Sequence, residues 1–177
     1  MILKNGTVAL EPITPALALR IVARDERPGD KWHAEYPFLD ELDPLRSLAA
    51  SASPDPCYTM YVVRRASDGM AVGGFGSFGP PDADGRVEFG YGLVPSARGA
   101  GLATSAVLLA LGHAARHGAT IAAADTEADN AASRRVLTKG GLAEVGRSGS
   151  VVLYERVLTA GQGIRLETNL RTSILVS

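Results

Sequence analysis

Two adjacent stretches carry residues whose types and spacing could do chemistry. In Arg98-Gly99-Ala100-Gly101-Leu102-Ala103 a glycine-rich turn runs into a series of good helix formers, with Thr104 next in the first turn. Such a turn leaves several backbone N–H groups without intrahelical partners, aimed at the space before the helix, where an anion can accept from them. It reads as a phosphate cradle. Just upstream, in Val87-Glu88-Phe89-Gly90-Tyr91-Gly92-Leu93, a period of two sends Val87, Phe89, Tyr91 and Leu93 to one face to pack a core. Glu88, Gly90 and Gly92 share the other face, one carboxylate beside two positions stripped to hydrogen. That face makes space for something to lie against the backbone.

The elements that must position these residues follow from turn and periodicity signals. Strand character from Ile2 to Leu10 precedes a helix from Pro15 to Ala23 with Thr14 as its cap, and a second short helix runs from Asp43-Pro44 to about Ser51. Tyr58 to Arg65 and about Met70 to Phe78 read as antiparallel strands joined at Ser67-Asp68-Gly69. After the strand at Val87–Leu93 comes a helix from about Leu102 to His117, closed by Gly118, and then a short strand from Thr120 to Ala124. That order predicts a β-α-β unit with parallel pairing. Asp125 to Asp129 reads as an acidic loop, and Asn130 to Gly141 as a capped helix with a glycine stop. Leu142–Val145 and Val151–Leu158 pair through Gly146-Arg147-Ser148-Gly149. The residues from Thr159 to Ser177 have no firm period, and are either a mobile tail or an element that docks on a partner subunit to make a homodimer.

Several other patterns suggest chemistry and are weaker in context. Gly74-Phe75-Gly76-Ser77-Phe78-Gly79 fits the dinucleotide pattern G-x-G-x-x-G, but that fingerprint must open a helix and Pro80-Pro81 forbids one. Glycines within a strand mark instead a bulge or a close approach. His113 and His117 stand one helical turn apart, as in a metal-binding H-E-x-x-H, yet Ala114 replaces the glutamate and no third ligand is evident in the sequence. They read as a basic pair at a helix end, and no metal is expected. Cys57 reads as an incidental thiol rather than a nucleophile, with no histidine or basic residue next to it in the chain. Trp32, Tyr36 and Phe38 fall in one polar, proline-containing loop. They are either a hydrophobic plug or a substrate-facing wall, and with Asp40, Glu41 and Asp43 nearby the second reading points to a cationic or aromatic acceptor.

Composition narrows the classes. At 177 residues and 46% hydrophobic, the chain suits one substantial core, expected over residues 1–158 as a single domain. A formal charge of −1 with scattered basic residues gives no footprint for nucleic acid or an anionic membrane. A single cysteine excludes an internal disulfide. No apolar run approaches the roughly 18 residues that span a bilayer, and the N-terminus lacks the build of a signal peptide, so the expected address is the cytoplasm.

Taken together, Val87-Glu88-Phe89-Gly90-Tyr91, Pro95, Arg98 to Ala103, Asn130-Ala131-Ala132-Ser133-Arg134-Arg135-Val136-Leu137 and Gly140-Gly141-Leu142 resemble the GCN5-related N-acetyltransferases. The resemblance is to the branch that includes the ribosomal-protein-alanine acetyltransferases, whose R/Q-x-x-G-x-G/A pattern is met by Arg98, Gly101 and Ala103. It implies an α/β (α+β) fold: a mixed, mostly antiparallel central sheet with one splayed parallel strand pair, flanked by helices on both faces. It implies acetyl-coenzyme A as co-substrate, with pyrophosphate on Arg98 to Thr104 and pantetheine between the splayed strands, where Gly90 and Gly92, or a bulge there, would fit. Asn130 is then a pantetheine contact, a helix cap, or both.

The reaction so implied moves an acetyl group to a primary amine of a small molecule or a protein N-terminus. An alkyl amine with a pKa near about 10 must lose a proton before it attacks the thioester. Glu88 is the candidate base, directly or through water. Backbone N–H groups around Leu93 and Val94 are the candidate oxyanion donors. The tyrosine acid that many relatives place seven residues after the asparagine is Leu137 here, and Ser133 takes the polar role near the sulfur. That substitution keeps open a second reading, a coenzyme-binding sensor or scaffold without catalysis.

Overall fold

The computed structural model describes residues 1–159, so the C-terminal segment read as a tail or docking element lies, from residue 160 on, outside the described residues. Eight strands form one sheet in the order β1-β2-β3-β4-β5-β6-β8-β7. They are β1 Leu3–Lys4, β2 Val8–Pro12, β3 Met60–Arg65, β4 Ala71–Ser77, β5 Arg86–Leu93, β6 Ile121–Glu127, β7 Ala143–Ser148 and β8 Val151–Val157. The helices are α1 Pro15–Ala23, α2 Leu42–Ala49, α3 Leu102–Arg116 and α4 Ala131–Lys139. Every strand pair is antiparallel except β5 and β6. The mixed sheet with one parallel pair is as the sequence predicts.

Local chemistry explains most boundaries. Thr14 accepts from the Leu17 N–H to cap α1, whose first residue is Pro15. The single strand expected at the N-terminus is two, because Asn5 Oδ1 accepts from the N–H groups of both Thr7 and Val8 and turns the chain back on itself. β6 runs on through Asp125-Thr126-Glu127, residues expected in a loop, because the ladder with β8 continues to Glu127 opposite Val151. The final hairpin likewise turns later than expected, at Gly149, whose φ is +61°.

Helices cover both faces. Val87 and Phe89 of β5 are buried on the side of α3, which packs against β1, β2 and β5 and against α4. The opposite face, with Gly90 and Gly92, looks towards α2, which pairs mainly with α1. His113 departs from its expected role as a cation at the end of α3. It is only 6% exposed, and burial, with His117 and Arg116 beside it disfavouring a further positive charge, lowers its pKa to about 4, so the imidazole is neutral. The Cys57 carbonyl opposes that shift without completing a hydrogen bond.

Candidate functional site

β5 and β6 pair over only three positions, Arg86 with Ile121, Val87 with Ala122 and Glu88 with Ala123. Beyond them the strands part. The β4–β5 ladder continues in unbroken register from Ser77–Phe89 to Gly73–Leu93, so there is no bulge at Gly90 or Gly92. Within that ladder the Phe78 N–H donates to the Glu88 carbonyl and the Val94 N–H to the Val72 carbonyl. Antiparallel alternation then turns the main-chain groups of Glu88, Gly90 and Gly92 towards β4 and those of Tyr91 and Leu93 towards the gap beside β6. Val94, one of the two expected oxyanion donors, has its N–H committed to β4. The Leu93 N–H faces the open wedge.

The glycine loop closes one end of this wedge. Gly99 and Gly101 have φ of +83° and +77°, the left-handed region where a Cβ is strained. Gly101 is the N-cap of α3 and supplies no side-chain partner, and the first intrahelical donor to it is the Ser105 N–H. The N–H groups of Leu102, Ala103 and Thr104 are therefore presented at the helix start with the positive end of the dipole. Ala100 is exposed beside them. Arg98 turns back, donating from Nε to the Leu93 carbonyl at 3.0 Å, with its guanidinium 5.2 Å above the Phe38 ring. It shapes the loop and ties it to the segment before α2.

Across the gap, Asn130 Oδ1 accepts from the Ser133 N–H at 3.0 Å and caps α4. The Tyr91 hydroxyl reaches over from β5, donating to the Ser133 carbonyl at 3.2 Å and lying 3.0 Å from the Ser133 hydroxyl. Tyr91 was expected in the core. It is half-buried instead, and desolvation raises its pKa against the opposing effect of Ser133. Leu137 is fully buried and offers no polar group.

The glycines on the other face of β4 and β5 serve a different purpose. Gly74 stands opposite Gly92 and Gly76 opposite Gly90. A Cβ at Gly74 would lie 2.7 Å from Glu41 Oε2, one at Gly92 would lie 3.6 Å from Glu41 Oε1, and one at Gly90 would lie 3.1 Å from the Phe78 ring. Gly74 is bare so that Glu41, carried on the turn that leads into α2, can lie against the sheet, while Gly92 meets it at ordinary contact distance and Gly90 makes room for Phe78. A cavity of about 810 Å³ opens here between α2 and strands β3 to β5, with Tyr58, Met60, Phe75 and Tyr91 in its wall. Asp40, Glu41, Asp43 and Asp55 line it, and among the described residues no lysine or arginine does.

Among the described residues Glu41 is the most perturbed acid. Only 8% exposed, it has no hydrogen-bond partner on either carboxylate oxygen. Desolvation pushes its pKa up to about 8; the Gly74 amide favours ionisation in part without making a hydrogen bond, and the Asp40 charge adds to the rise. Glu88, by contrast, is exposed and outside the residues lining the cavity. Of the aromatic trio, Phe38 lines the cavity, while Trp32 and Tyr36 are buried in the core and pack edge to face, so of the two readings of this loop the plug holds for Trp32 and Tyr36 and a place on the cavity wall for Phe38 alone. Chain alternation pointed to Glu88. The signal for Glu41 was the pair of glycines in each of two neighbouring strands, which only the register brings opposite each other.

A mixed sheet whose single parallel pair opens above a glycine-bounded helix start defines the class of acetyltransferase-fold proteins. The chain belongs to the acetyltransferase (GNAT) domain family, which matches residues 8–143. Among solved structures it is similar to RimL, the ribosomal L7/L12 alpha-N-protein acetyltransferase in complex with coenzyme A, at 16% identity and a TM-score of 0.64 over 90% of this chain and 99% of that one. It is similar also to the ribosomal-protein-S5-alanine acetyltransferase from Vibrio fischeri, at 15% identity and 0.62 over 89% and 97%. A spermidine N-acetyltransferase from Vibrio cholerae, described as dodecameric, matches at 15% identity and 0.61 over 86% and 95%. No curated protein matches the chain. Among the described residues no helix is long and apolar enough to cross a membrane.

Proposed function

We propose that this protein transfers an acetyl group from acetyl-coenzyme A to a primary amine, with Glu41 rather than Glu88 as the base. The observation that carries the reading is an unpartnered, buried carboxylate in an acidic cavity that shares Tyr91, Gly90 and Gly92 with the wedge. Four carboxylates and no basic side chain favour a cationic acceptor. With Glu41 near 8, proton transfer from an ammonium of about 10 is uphill by roughly 2 pKa units, against 5 or 6 for an ordinary carboxylate. The desolvation that raises Glu41 thus makes it a competent base.

The remaining steps use groups at the wedge. The helix start at Leu102 to Thr104 suits the pyrophosphate, and the open strand edge at Tyr91 and Leu93 suits the pantetheine amides, as the coenzyme A complex of RimL supports for the fold. The freed amine attacks the thioester carbonyl, whose oxygen takes negative charge against the Leu93 N–H. As the C–S bond breaks, the thiolate takes a proton from the Tyr91 and Ser133 hydroxyl pair, which stands where Leu137 cannot act, and the proton that the attacking nitrogen sheds on becoming an amide restores that pair. Named relatives that act on ribosomal proteins and spermidine support an amine acceptor, small or at a chain terminus. The test is turnover of acetyl-coenzyme A against a panel of mono- and polyamines and peptide N-termini, with coenzyme binding measured by calorimetry. Cationic amines should be acetylated by the wild type; coenzyme binding with no acceptor acetylated would leave a coenzyme-binding module instead.

A further inference from the structure

The far end of α3 carries a second constellation that the acetyl-transfer reading does not use. Cys57, just before β3, lies beside His113 and His117 of the last turn, and one ligand atom from each stands within 4.8 Å of the others. The third ligand that the sequence does not reveal comes from another element 56 residues away, since Tyr58 donates its hydroxyl to the Ala114 carbonyl and, at 2.8 Å, to that of His117. Asp55 Oδ1 accepts from the N–H groups of both Cys57 and Tyr58, which fixes the turn carrying the thiol. The backbone of the site is therefore held on both sides, at the Cys57 N–H by Asp55 and at the His117 carbonyl by Tyr58.

The histidines are arranged as ligands rather than as hydrogen-bonding core residues. His113 is buried, yet neither of its ring nitrogens has a partner among the described residues. A buried imidazole left unsatisfied on both nitrogens costs free energy that a bound cation would recover. Its ring lies 4.1 Å from that of His117. His117 Nδ1 is 2.9 Å from the His113 carbonyl, and a carbonyl only accepts, so Nδ1 carries the hydrogen and Nε2 the lone pair. Holding one ring nitrogen by a carbonyl while the other faces a metal is the usual way a metal-binding histidine is oriented. The C-terminal end of a long helix also favours positive charge.

We propose that Cys57, His113 and His117 form a site for a divalent transition ion of the zinc type. One thiolate and two imidazoles suit that ion, and the exposed His117 and half-buried Cys57 leave a fourth position to solvent. Tetrahedral bonds of about 2.1 Å to nitrogen and about 2.3 Å to sulfur place the donors roughly 3.5 Å apart, so closure draws them in by about 1 Å. Rotation of His117 and Cys57 about their side-chain torsions supplies that movement. Binding exchanges the Cys57 thiol proton for the metal–sulfur bond, releasing one proton and changing no oxidation state. Because Asp55 and Tyr58 also line the acceptor cavity, the ion would brace the turn that forms its rear wall.

The experiment uses the full chain, reduced and stripped with a chelator, titrated with Zn²⁺ and separately with Co²⁺. One equivalent of metal per chain, a thiolate-to-cobalt charge-transfer band and a rise in melting temperature with Zn²⁺ are expected. Cys57→Ser and His117→Gln, both at solvent-accessible positions that leave the core intact, should weaken Zn²⁺ by at least the roughly 100-fold that loss of an outer-shell partner can cost. His113→Asn should do the same if it folds, and His33→Ala should leave binding unchanged. Absence of a saturable equivalent, uptake unchanged in Cys57→Ser and His117→Gln, or cobalt spectra lacking the thiolate band would overturn the site. None of these readouts depends on acetyl transfer.

Discussion

Glu41 and Glu88 look onto the same face of the same sheet and have opposite surroundings. Glu88 sits in the strand that leads to the glycine loop, with its side chain in solvent. Glu41 comes from a turn far away in sequence and lies against Gly74 and Gly92, buried and without a hydrogen-bond partner among the described residues. The difference teaches that a carboxylate becomes a usable base through what it loses, its water and its partners, more than through nearness to a motif.

The largest effect that would break this comparison is loss of the Glu41 carboxylate. Glu41→Gln should lower kcat/KM by about 10²–10⁴, the range for a general base, while coenzyme A affinity in calorimetry stays unchanged. In the wild type kcat/KM should rise with pH as Glu41 ionises near 8, and the variant should lack that limb. A fall confined to KM for the amine would demote Glu41 to a binding role.

Stability offers a separate probe. The Glu41 pKa is raised on folding from the ordinary 4.5 to about 8, so between those pH values the native chain holds a proton that the unfolded chain has released. Its stabilising contribution is complete below pH 4.5 and is lost as pH rises towards 8, at up to about 1.4 kcal/mol per pH unit. Urea unfolding should show that slope in wild type minus Glu41→Gln.

A smaller effect is expected at the wedge. Tyr91→Phe should reduce kcat by about tenfold, with Ser133→Ala close behind, if the hydroxyl pair protonates the leaving thiolate. A faster-leaving aromatic thioester should erase most of that loss. Smallest of all, Glu88→Gln should change kcat/KM by less than about threefold in steady-state assays; a loss comparable with that of Glu41→Gln would return the base to β5.

What was legible in the chain was what neighbouring residues decide. Gly99, Gly101, the α3 run and Asn130 three residues before Ser133 each act within a turn or two, and the parallel β5–β6 pair follows from strand-helix-strand order. Glu41 could not be read in this way. Its place on the sheet depends on the missing Cβ of Gly74, in a strand far from it in sequence, and charged residues at Asp40 and Asp43 make its neighbourhood look solvated. Tyr91 misled for the related reason that alternation says which face a side chain takes but not whether that face is sealed. Cys57 and the two histidines needed a contact between elements that no local spacing encodes.

The brief pairing of β5 with β6 has a consequence for how the molecule comes apart. Strands β6, β8 and β7 pair closely with one another, yet their backbone connection to β5 is confined to three rungs, with α3 and the Tyr91–Ser133 contact beyond them. Such a unit is expected to open below the global unfolding free energy, so amides of β6 and β8 should exchange with solvent faster than those of β3 and β4. A ligand filling the unpaired edge would supply the missing rungs, and the two halves would then lose their protection together.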